Sequence, residues 1–287
     1  MNKFFLVPIC IFFFVIGMLV LYFQFIEDEW KYFYKAKDKL IPTYCDDNSL
    51  NYEEAIIDTA IDKLSNRNFV DNHDSKKNTI HLIYFLPCDV ENRNLDVNGK
   101  IEKIINNIND WFYNQSLNQK IKFDYYENKL DITFIRVNKT LSWFNKFSSV
   151  QKKDEDNSSK IEKIILSNNN FFNNFDTKKF IIFFEGWEKM KGFNTTCGRA
   201  RLNGQVGIFY TNSNIKRKNT CVNIKKFKNN ELGSEEQTVL HELLHLLGFP
   251  NQCAKNIDPK NLFHINDTVE DILYKFSGGR YLDFNND

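Results

Sequence analysis

Two histidines and a glutamate stand close together in the stretch QTVLHELLHLLGFPN, residues 237–251. His241 and His245 are four residues apart, so on a helix both imidazoles lie on the same face, one turn apart. Two imidazoles in this arrangement can bind one Zn²⁺ ion, and Glu242 beside them can take a proton from a metal-activated water. The spacing therefore predicts a zinc site with a general base. The alternative is a buried helix with two hydrogen-bonded histidines and a paired glutamate.

The helix that must carry these residues has its own signals. Ser234 followed three residues later by Gln237 has the form of a capping box, which predicts that the helix begins at Ser234. Gly248 predicts a left-handed end, and Pro250 prevents the helix from continuing. Valine and leucine cover most of the circumference between these limits, so the helix should be buried. Three polar side chains in such a helix need partners, and a metal ion supplies them.

A catalytic zinc site of this kind needs a third protein ligand. Asn251 is the tenth residue after His241, where a longer version of the pattern has histidine or aspartate, but a neutral amide is a poor zinc ligand. We prefer His264, the only histidine after the helix. Glu270 is the main rival, because two histidines and a glutamate also form zinc sites. Asp267 is a further candidate, as a ligand or as an acceptor for a ligand histidine.

The other two histidines have surroundings that favour different roles. His73 lies in a polar stretch, where we expect a solvated side chain. His81 lies in the apolar run IHLIYFL, residues 80–86, where we expect a hydrogen-bonded core histidine.

The region from the helix onward resembles known zinc peptidases. QTVLHELLHLLGFP is similar to the H-E-x-x-H-x-x-G start of the metzincin-type zincin metallopeptidases. Beyond it, four short elements resemble a little-characterised family of exported zincin-like proteins, in which a G-H-V-x-D-like element, D-[IL]-[LM]-Y and L-D follow the active helix. These elements are CA at 253–254, FHIND at 263–267, DILY at 271–274 and LD at 282–283. Segments 80–137 and 180–221 look similar too, so the resemblance covers roughly residues 79–287.

The resemblance implies a fold and a set of roles. The fold is α/β (α+β), a zincin-like catalytic domain with a mixed twisted sheet and a buried active-site helix. His264, in the G-H-V-x-D-like element, takes the place of the third ligand. Tyr274 takes the place of a hydroxyl donor to the oxyanion, with a packed aromatic side chain as the alternative. Leu273 replaces the methionine of a metzincin-type turn, and Phe263 replaces the expected glycine.

The apolar pattern predicts strands that alternate with helices, which is typical of an α/β layer. The predicted helices lie over residues 49–64, 100–117 and around 161–165, before the helix with the two histidines. The predicted strands lie over residues 80–86, 131–137, 180–184 and 206–210. The last is short and flanked by Gly204 and Asn212, so we expect it at the edge of the sheet, where an extended peptide substrate can pair with it.

The N-terminus carries a different signal. Residues 4–26 have no charged side chain and are long enough to cross a bilayer as a helix. A cleaved signal peptide is the alternative, but no small-residue cleavage site precedes Glu27. We therefore expect an uncleaved signal anchor. Lys3 precedes it and acidic residues follow it, which predicts a cytoplasmic N-terminus and an extracytoplasmic (periplasmic, extracellular or lumenal) catalytic domain.

These features divide the chain into three parts. Residues 1–26 form the transmembrane signal anchor, 27–78 a juxtamembrane and helical linker region, and 79–287 the metallopeptidase domain. Five cysteines follow the anchor, and none forms a C-x-x-C pair, so a thiolate metal site is not expected. Cys197 and Cys221 could close a loop before the active helix in an oxidising compartment, with buried free thiols as the alternative.

Composition excludes one class of partner and leaves two functional hypotheses. A formal net charge of +1 over 287 residues gives no sign of nucleic-acid binding. The leading hypothesis is a monomeric, membrane-anchored zinc peptidase that acts on a peptide or protein substrate. The alternative is a catalytically inactive zincin-like domain that serves as an extracytoplasmic binding module, a hypothesis motivated by Asn251 and Leu273.

Overall fold

The computed structural model describes residues 42–49, 51–58, 62–64, 66–72, 78–146, 156–189, 195–211, 232–251, 253–274, 279 and 281–282. The chain divides into two compact units, residues 1–43 and 44–287. The predicted anchor over residues 4–26 and the predicted loop residue His73 lie outside the described ranges. Within those ranges, no helix has both the length and the apolar character needed to cross a membrane.

The described residues form twelve strands and four α-helices. The strands are β1 (Ile56–Ile57), β2 (Ile80–Leu86), β3 (Tyr125–Tyr126), β4 (Lys129–Leu130), β5 (Ile132–Val137), β6 (Lys179–Phe184), β7 (Glu188–Lys189), β8 (Thr195–Thr196), β9 (Gly198–Ala200), β10 (Val206–Tyr210), β11 (Ile257–Asp258) and β12 (Asn261–Ile265). The helices are α1 (Lys100–Gln115), α2 (Leu141–Phe144), α3 (Asn157–Ser167) and α4 (Ser234–Leu246).

One mixed sheet organises the domain, with strand order β1-β5-β2-β6-β10-β9. The four inner strands are parallel, and β1 and β9 are antiparallel to their neighbours. The inner strands are almost entirely buried because helices cover both faces, which explains their nearly continuous apolar sequences. The predicted mixed α and β fold with a mixed sheet is confirmed at this level, as are the four predicted strands.

Two apolar clusters fill the space between the sheet and its helices. One packs α1 and α4 against one face, with Ile105 and Ile108 of α1 and Leu243 of α4 fully buried. The other packs α2 and α3 against the opposite face. The predicted helices around 100–117 and 161–165 are confirmed as α1 and α3. Their apolar residues recur at helical spacing, and these are the residues that are buried.

Two predictions about the edges of the sheet are wrong. Residues 206–210 are not an edge strand, because β10 pairs with β6 on one side and with β9 on the other. The described residues of 49–64 form no α-helix, since Ile56 and Ile57 pair with β5 instead. Ala55 before them is fully buried, and its carbonyl accepts a hydrogen bond from Asn138. Pairing with the sheet thus overrides a helical spacing of apolar residues, and the larger compact unit spans residues 44–287.

Disulfide bonds tie parts of this unit together. Cys45 is bonded to Cys88, which follows the end of β2, with a Cα–Cα distance of 5.7 Å. Cys197 is also disulfide-bonded. Its predicted partner, Cys221, lies outside the described residues. Cys253 is free and exposed.

A cluster of charged residues is buried at the amino end of the parallel strands. His81 has both ring nitrogens within hydrogen-bond distance of neighbours, Asp124 at 3.2 Å and Thr133 at 2.9 Å, as predicted for a core histidine. The Lys178 ammonium contacts the carboxylates of both Asp71 and Asp124. Asp71, His81 and Asp124 are close enough to resemble a metal site, but Lys178 already supplies the positive charge that a cation would bring.

Removing the Lys178 charge should leave two buried carboxylates without their main counterion. We expect Lys178→Met to lower the free energy of unfolding by about 3–5 kcal/mol, the cost typical of breaking one partner from a buried ion pair. The neighbouring Lys179→Met is the control, because it removes one hydrogen bond to the Gly204 carbonyl and should cost about 1 kcal/mol. Urea unfolding of both variants measures the difference, and equal losses would contradict the prediction.

Candidate metal centre

The helix with the two histidines begins at Ser234, as predicted, but without the predicted side-chain cap. Gly233 is the N-cap residue of α4, and no side chain caps the helix, so the predicted capping box at Ser234 is wrong. Gln237 cannot complete such a box because its side-chain amide is buried and donates to the carbonyl of Leu232 at 3.2 Å. The start of the helix is therefore stabilised by this buried hydrogen bond rather than by a side-chain cap.

The end of the helix is fixed immediately after His245. Gly248 has the predicted left-handed conformation, with φ of 92°. Its N–H donates to the His245 carbonyl at 3.0 Å, and the Phe249 N–H donates to the Leu244 carbonyl at 2.9 Å. These two bonds form a Schellman motif. A side chain at residue 248 would collide with Asn203, whose Oδ1 lies 2.5 Å from the position of an added Cβ.

Three imidazoles meet beside this helix. Nε2 of His241 lies 3.1 Å from Nε2 of His245 and 3.2 Å from Nε2 of His264. The three ligand nitrogens all lie within 4.8 Å of one another. His264 reaches this point from β12, in the β11–β12 hairpin that follows the helix. The structure therefore brings together the three histidines named from the sequence.

The hydrogen bonds of two rings define which nitrogen carries a hydrogen. Nδ1 of His241 donates to the carbonyl of Ile272 at 2.7 Å, and Nδ1 of His245 donates to the carbonyl of Phe249 at 2.9 Å. A carbonyl oxygen can only accept, so the neutral rings present a lone pair at Nε2. Burial lowers the pKa of His241 to about 3 and that of His264 to about 4, and it lowers the pKa of His245 as well. The rings are therefore neutral near pH 7.

Nitrogen atoms bound to one tetrahedral Zn²⁺ ion at about 2.0–2.1 Å lie roughly 3.3–3.4 Å apart. The two closest separations here, 3.1 and 3.2 Å, are near that value. Neutral imidazoles that face each other through lone pairs repel unless a cation lies between them. Zinc prefers neutral imidazole, so the donor set and its spacing fit this ion. The fit leaves a fourth coordination position for water or substrate.

The segment 271–274 accepts hydrogen bonds from His241 and from the strand that carries His264. Besides the bond from Ile272 to His241, the carbonyl of Leu273 accepts a hydrogen bond from the N–H of Ile265, the neighbour of His264, at 3.3 Å. Leu273 is 5% exposed and belongs to the main apolar cluster. The N–H of Ile272 in turn donates to the carbonyl of Tyr281 at 2.9 Å. Both sides of this segment are thus occupied by backbone partners.

The structure also locates the other residues named from the sequence. Neither Asp267 nor Glu270 joins the cluster of ligand atoms among the described residues. The exposed Asp267 accepts hydrogen bonds from the Asn256 side chain and the Thr268 N–H. Asn251 is exposed, and its side chain accepts from the N–H of Cys253 at 3.0 Å. Asn251 therefore stabilises the turn after the helix.

Tyr274 lies at the end of the supporting segment. Its backbone forms an isolated parallel bridge with Ile265, and its side chain is half-buried. Because Ile265 directly follows His264, Tyr274 lies beside the strand that carries His264. Its role as a hydroxyl donor stays a prediction.

Glu242 faces the edge strand β9, which the sequence analysis missed. The carboxylate is 7% exposed and accepts a hydrogen bond from the backbone N–H of Ala200. Burial raises the pKa of Glu242 to about 8, although Arg199 and the Ala200 N–H both act to lower it. A strand of three residues that begins with glycine is too short to show an alternation of polar and apolar side chains. The charged Arg199 between Gly198 and Ala200 was the only sequence signal for this strand.

No protein-family model matches this chain, and no curated protein sequence matches it. A function for this chain is therefore proposed from the geometry of the three histidines and Glu242.

Loss of the third imidazole should be distinguishable from loss of its rival. We expect His264→Ala to weaken zinc binding at least about 100-fold, because loss of even an outer hydrogen-bond partner of a ligand costs about 10–100-fold. Glu270→Ala should leave the affinity unchanged, since Glu270 is outside the cluster. Competition of the full-length chain with a chromophoric zinc chelator measures both affinities. The opposite pattern would assign the site to two histidines and a glutamate.

Proposed function

We propose that this chain is a zinc-dependent peptidase of the zincin type, in which His241, His245 and His264 hold the metal and Glu242 is the general base. The observation that carries the proposal is the convergence of three neutral imidazole nitrogens at a helix in which the buried Glu242 directly follows the first of the histidines. Hydrogen-bonded core residues would have no reason to bring the Nε2 lone pairs of His241 and His245 within 3.1 Å of each other. The mixed sheet with a buried helix supports the zincin-like interpretation of the fold.

Zinc, when bound, supplies the Lewis acidity that polarises a peptide carbonyl and acidifies water. The protein groups do the remaining work. Ile272 and Phe249 hold two ligand rings in the tautomer that leaves Nε2 free, through the bonds to Nδ1. Glu242 follows directly after a ligand histidine, and a bound cation would lower its raised pKa so that the carboxylate form is present near pH 7. The carboxylate could then receive the proton that water loses on attack and pass it to the departing amine.

The edge of the sheet suggests how a substrate is held. The N–H of Tyr210 donates to the carbonyl of Cys197, so these two residues are a hydrogen-bonded pair between β10 and β9. Antiparallel pairing alternates, and the backbone groups of Gly198 and Ala200 therefore point away from β10. We propose that an extended peptide runs along this edge of β9, beside Glu242, and pairs with the backbone groups there that are not already bonded to Glu242 or Thr196. This replaces the pairing with residues 206–210 expected from the sequence.

The role of Glu242 can be separated from metal binding. We expect Glu242→Gln to keep the zinc stoichiometry of the full-length chain and to lower the rate of peptide hydrolysis at least about 100-fold, because the amide cannot accept the proton. Glu235→Gln is the matched control on the first turn of the same helix, where Glu235 is half-exposed and pairs with Lys100. Mass-spectrometric detection of cleaved peptides from a mixed peptide library measures the rate.

Two results would overturn this proposal in different ways. Equal activity of wild type and Glu242→Gln would remove Glu242 from the reaction. Stoichiometric zinc without cleavage of any peptide, in wild type as well, would favour the non-catalytic binding module instead.

We further propose that the domain lies outside the cytoplasm, tethered by residues 4–26 with the N-terminus inside. The basis is the apolar segment with Lys3 before it and acidic residues after it. The disulfide between Cys45 and Cys88 supports the proposal, since such bonds form and persist in oxidising compartments. We propose a monomer that acts on a peptide or protein substrate.

Cys253 provides a direct test of the topology. This thiol is free and exposed, so a membrane-impermeant maleimide added to sealed right-side-out vesicles should label it if the domain is outside. Cys253→Ser in the full-length chain gives the background from other thiols. Labelling that appears only after the vesicles are opened would place the domain inside.

A further inference from the structure

The edge strand β9 touches Glu242 at two alternate residues, Gly198 and Ala200. At Gly198, an added Cβ would lie 2.6 Å from Cγ and 2.8 Å from Oε1 of Glu242. At Ala200, the backbone N–H donates a hydrogen bond to the Glu242 carboxylate. Separations below 3.0 Å do not occur between real Cβ atoms and their neighbours, so any side chain at residue 198 must displace the glutamate. The glutamate therefore occupies the space that a side chain at residue 198 would need.

Other contacts hold β9 in place from the opposite face of the sheet. Arg199 alternates with Gly198 and Ala200, so its side chain points away from α4. Its guanidinium contacts Asp156, the N-cap residue of α3, and lies 3.5 Å from Glu188. Because Arg199 fixes the strand to α3 and to β7, the two contacts with Glu242 come from a firmly placed surface.

We propose that Gly198 and Ala200 are positioning residues that set the direction of the Glu242 carboxylate relative to the three histidines. Gly198 leaves room for the side chain to lie against the strand, and the Ala200 N–H fixes the carboxylate there. The inference rests on the proposed role of Glu242 as general base. A displacement of about 1 Å in a reacting group can cost about 100-fold in rate. The identity of residue 198 therefore determines kcat without contributing a functional group.

Gly198→Ala tests this inference against a matched glycine. Gly207→Ala, on the neighbouring strand β10, also crowds helix α4, but its Cβ would meet Leu246 and Ile181 at 3.0 Å and not Glu242. In the full-length chain, we expect Gly198→Ala to keep the zinc stoichiometry and to lower kcat about 100-fold with KM little changed. Gly207→Ala should keep kcat. Equal losses of kcat in both variants would mean a general shift of the helix and would overturn the inference.

A second readout does not depend on activity. The amide proton of Ala200 should exchange slowly with solvent in wild type, because it is bonded to a buried carboxylate. Gly198→Ala and Glu242→Ala should both accelerate this exchange and shift the Ala200 amide resonance, whereas Gly207→Ala should do neither. An unchanged Ala200 amide in Gly198→Ala would overturn the inference. This measurement gives a result even if the wild type cleaves no peptide, an outcome that would defeat the proposed function alone.

A further variant guards against misfolding of Gly198→Ala. Ala200→Pro removes the N–H that bonds Glu242 while adding no group at residue 198. Proline is tolerated on an edge strand where the missing N–H points away from its neighbour, as it does here. We expect the same fall in kcat with zinc retained. A folded Ala200→Pro with wild-type kcat would overturn the inference as well.

Discussion

The hydrogen bond from Nδ1 of His241 to the carbonyl of Ile272 joins two parts of the chain that are 31 residues apart. It turns the Nε2 lone pair of His241 toward His245 and His264, and it keeps the segment 271–274 in contact with the opposite edge of the His241 ring. That segment also receives the N–H of Ile265, so the same backbone positions the strand that presents His264. The geometry of the whole cluster therefore depends on where this short segment is held. Its other edge is bonded in turn to Tyr281, which makes this residue part of the support for the three-histidine cluster.

Much of the framework was predictable because each element had a pattern that packing did not overrule. The helix α1 and the strands β2 and β6 lie in the centre of the domain, where apolar spacing and burial agree. The edges behaved differently. Ile56 and Ile57 have helical spacing with their neighbours but gain more from pairing with Val137 and Arg136 than a short isolated helix would provide. Strand β9 was missed because three residues that include a glycine carry no periodic signal.

The candidate site divides along similar lines. His241, Glu242 and His245 could be named from their spacing on one helix, because helical geometry alone places them together. The approach of His264 depends on the β11–β12 hairpin, whose strands are too short and irregular to be predicted, so the sequence left Asp267 and Glu270 as competing ligands. The groups that orient the rings are main-chain carbonyls, which every residue has and which no sequence pattern marks. For the same reason, the contact of Glu242 with β9 could be found only from the structure.

The bond between Cys45 and Cys88 has a mechanical consequence. Without it, tension applied to the chain before residue 45 would be carried into β1, a two-residue strand at the edge of the sheet, which could be peeled away one hydrogen bond at a time. The disulfide instead delivers that tension to the end of β2, which is hydrogen-bonded on both sides and lies in the middle of the sheet. Strands loaded in this way must shear many bonds at once. A pull on the N-terminal side of this unit therefore acts first on the middle of the sheet, whereas the helix with the two histidines contacts β10 and β9 at the other end of the strand order.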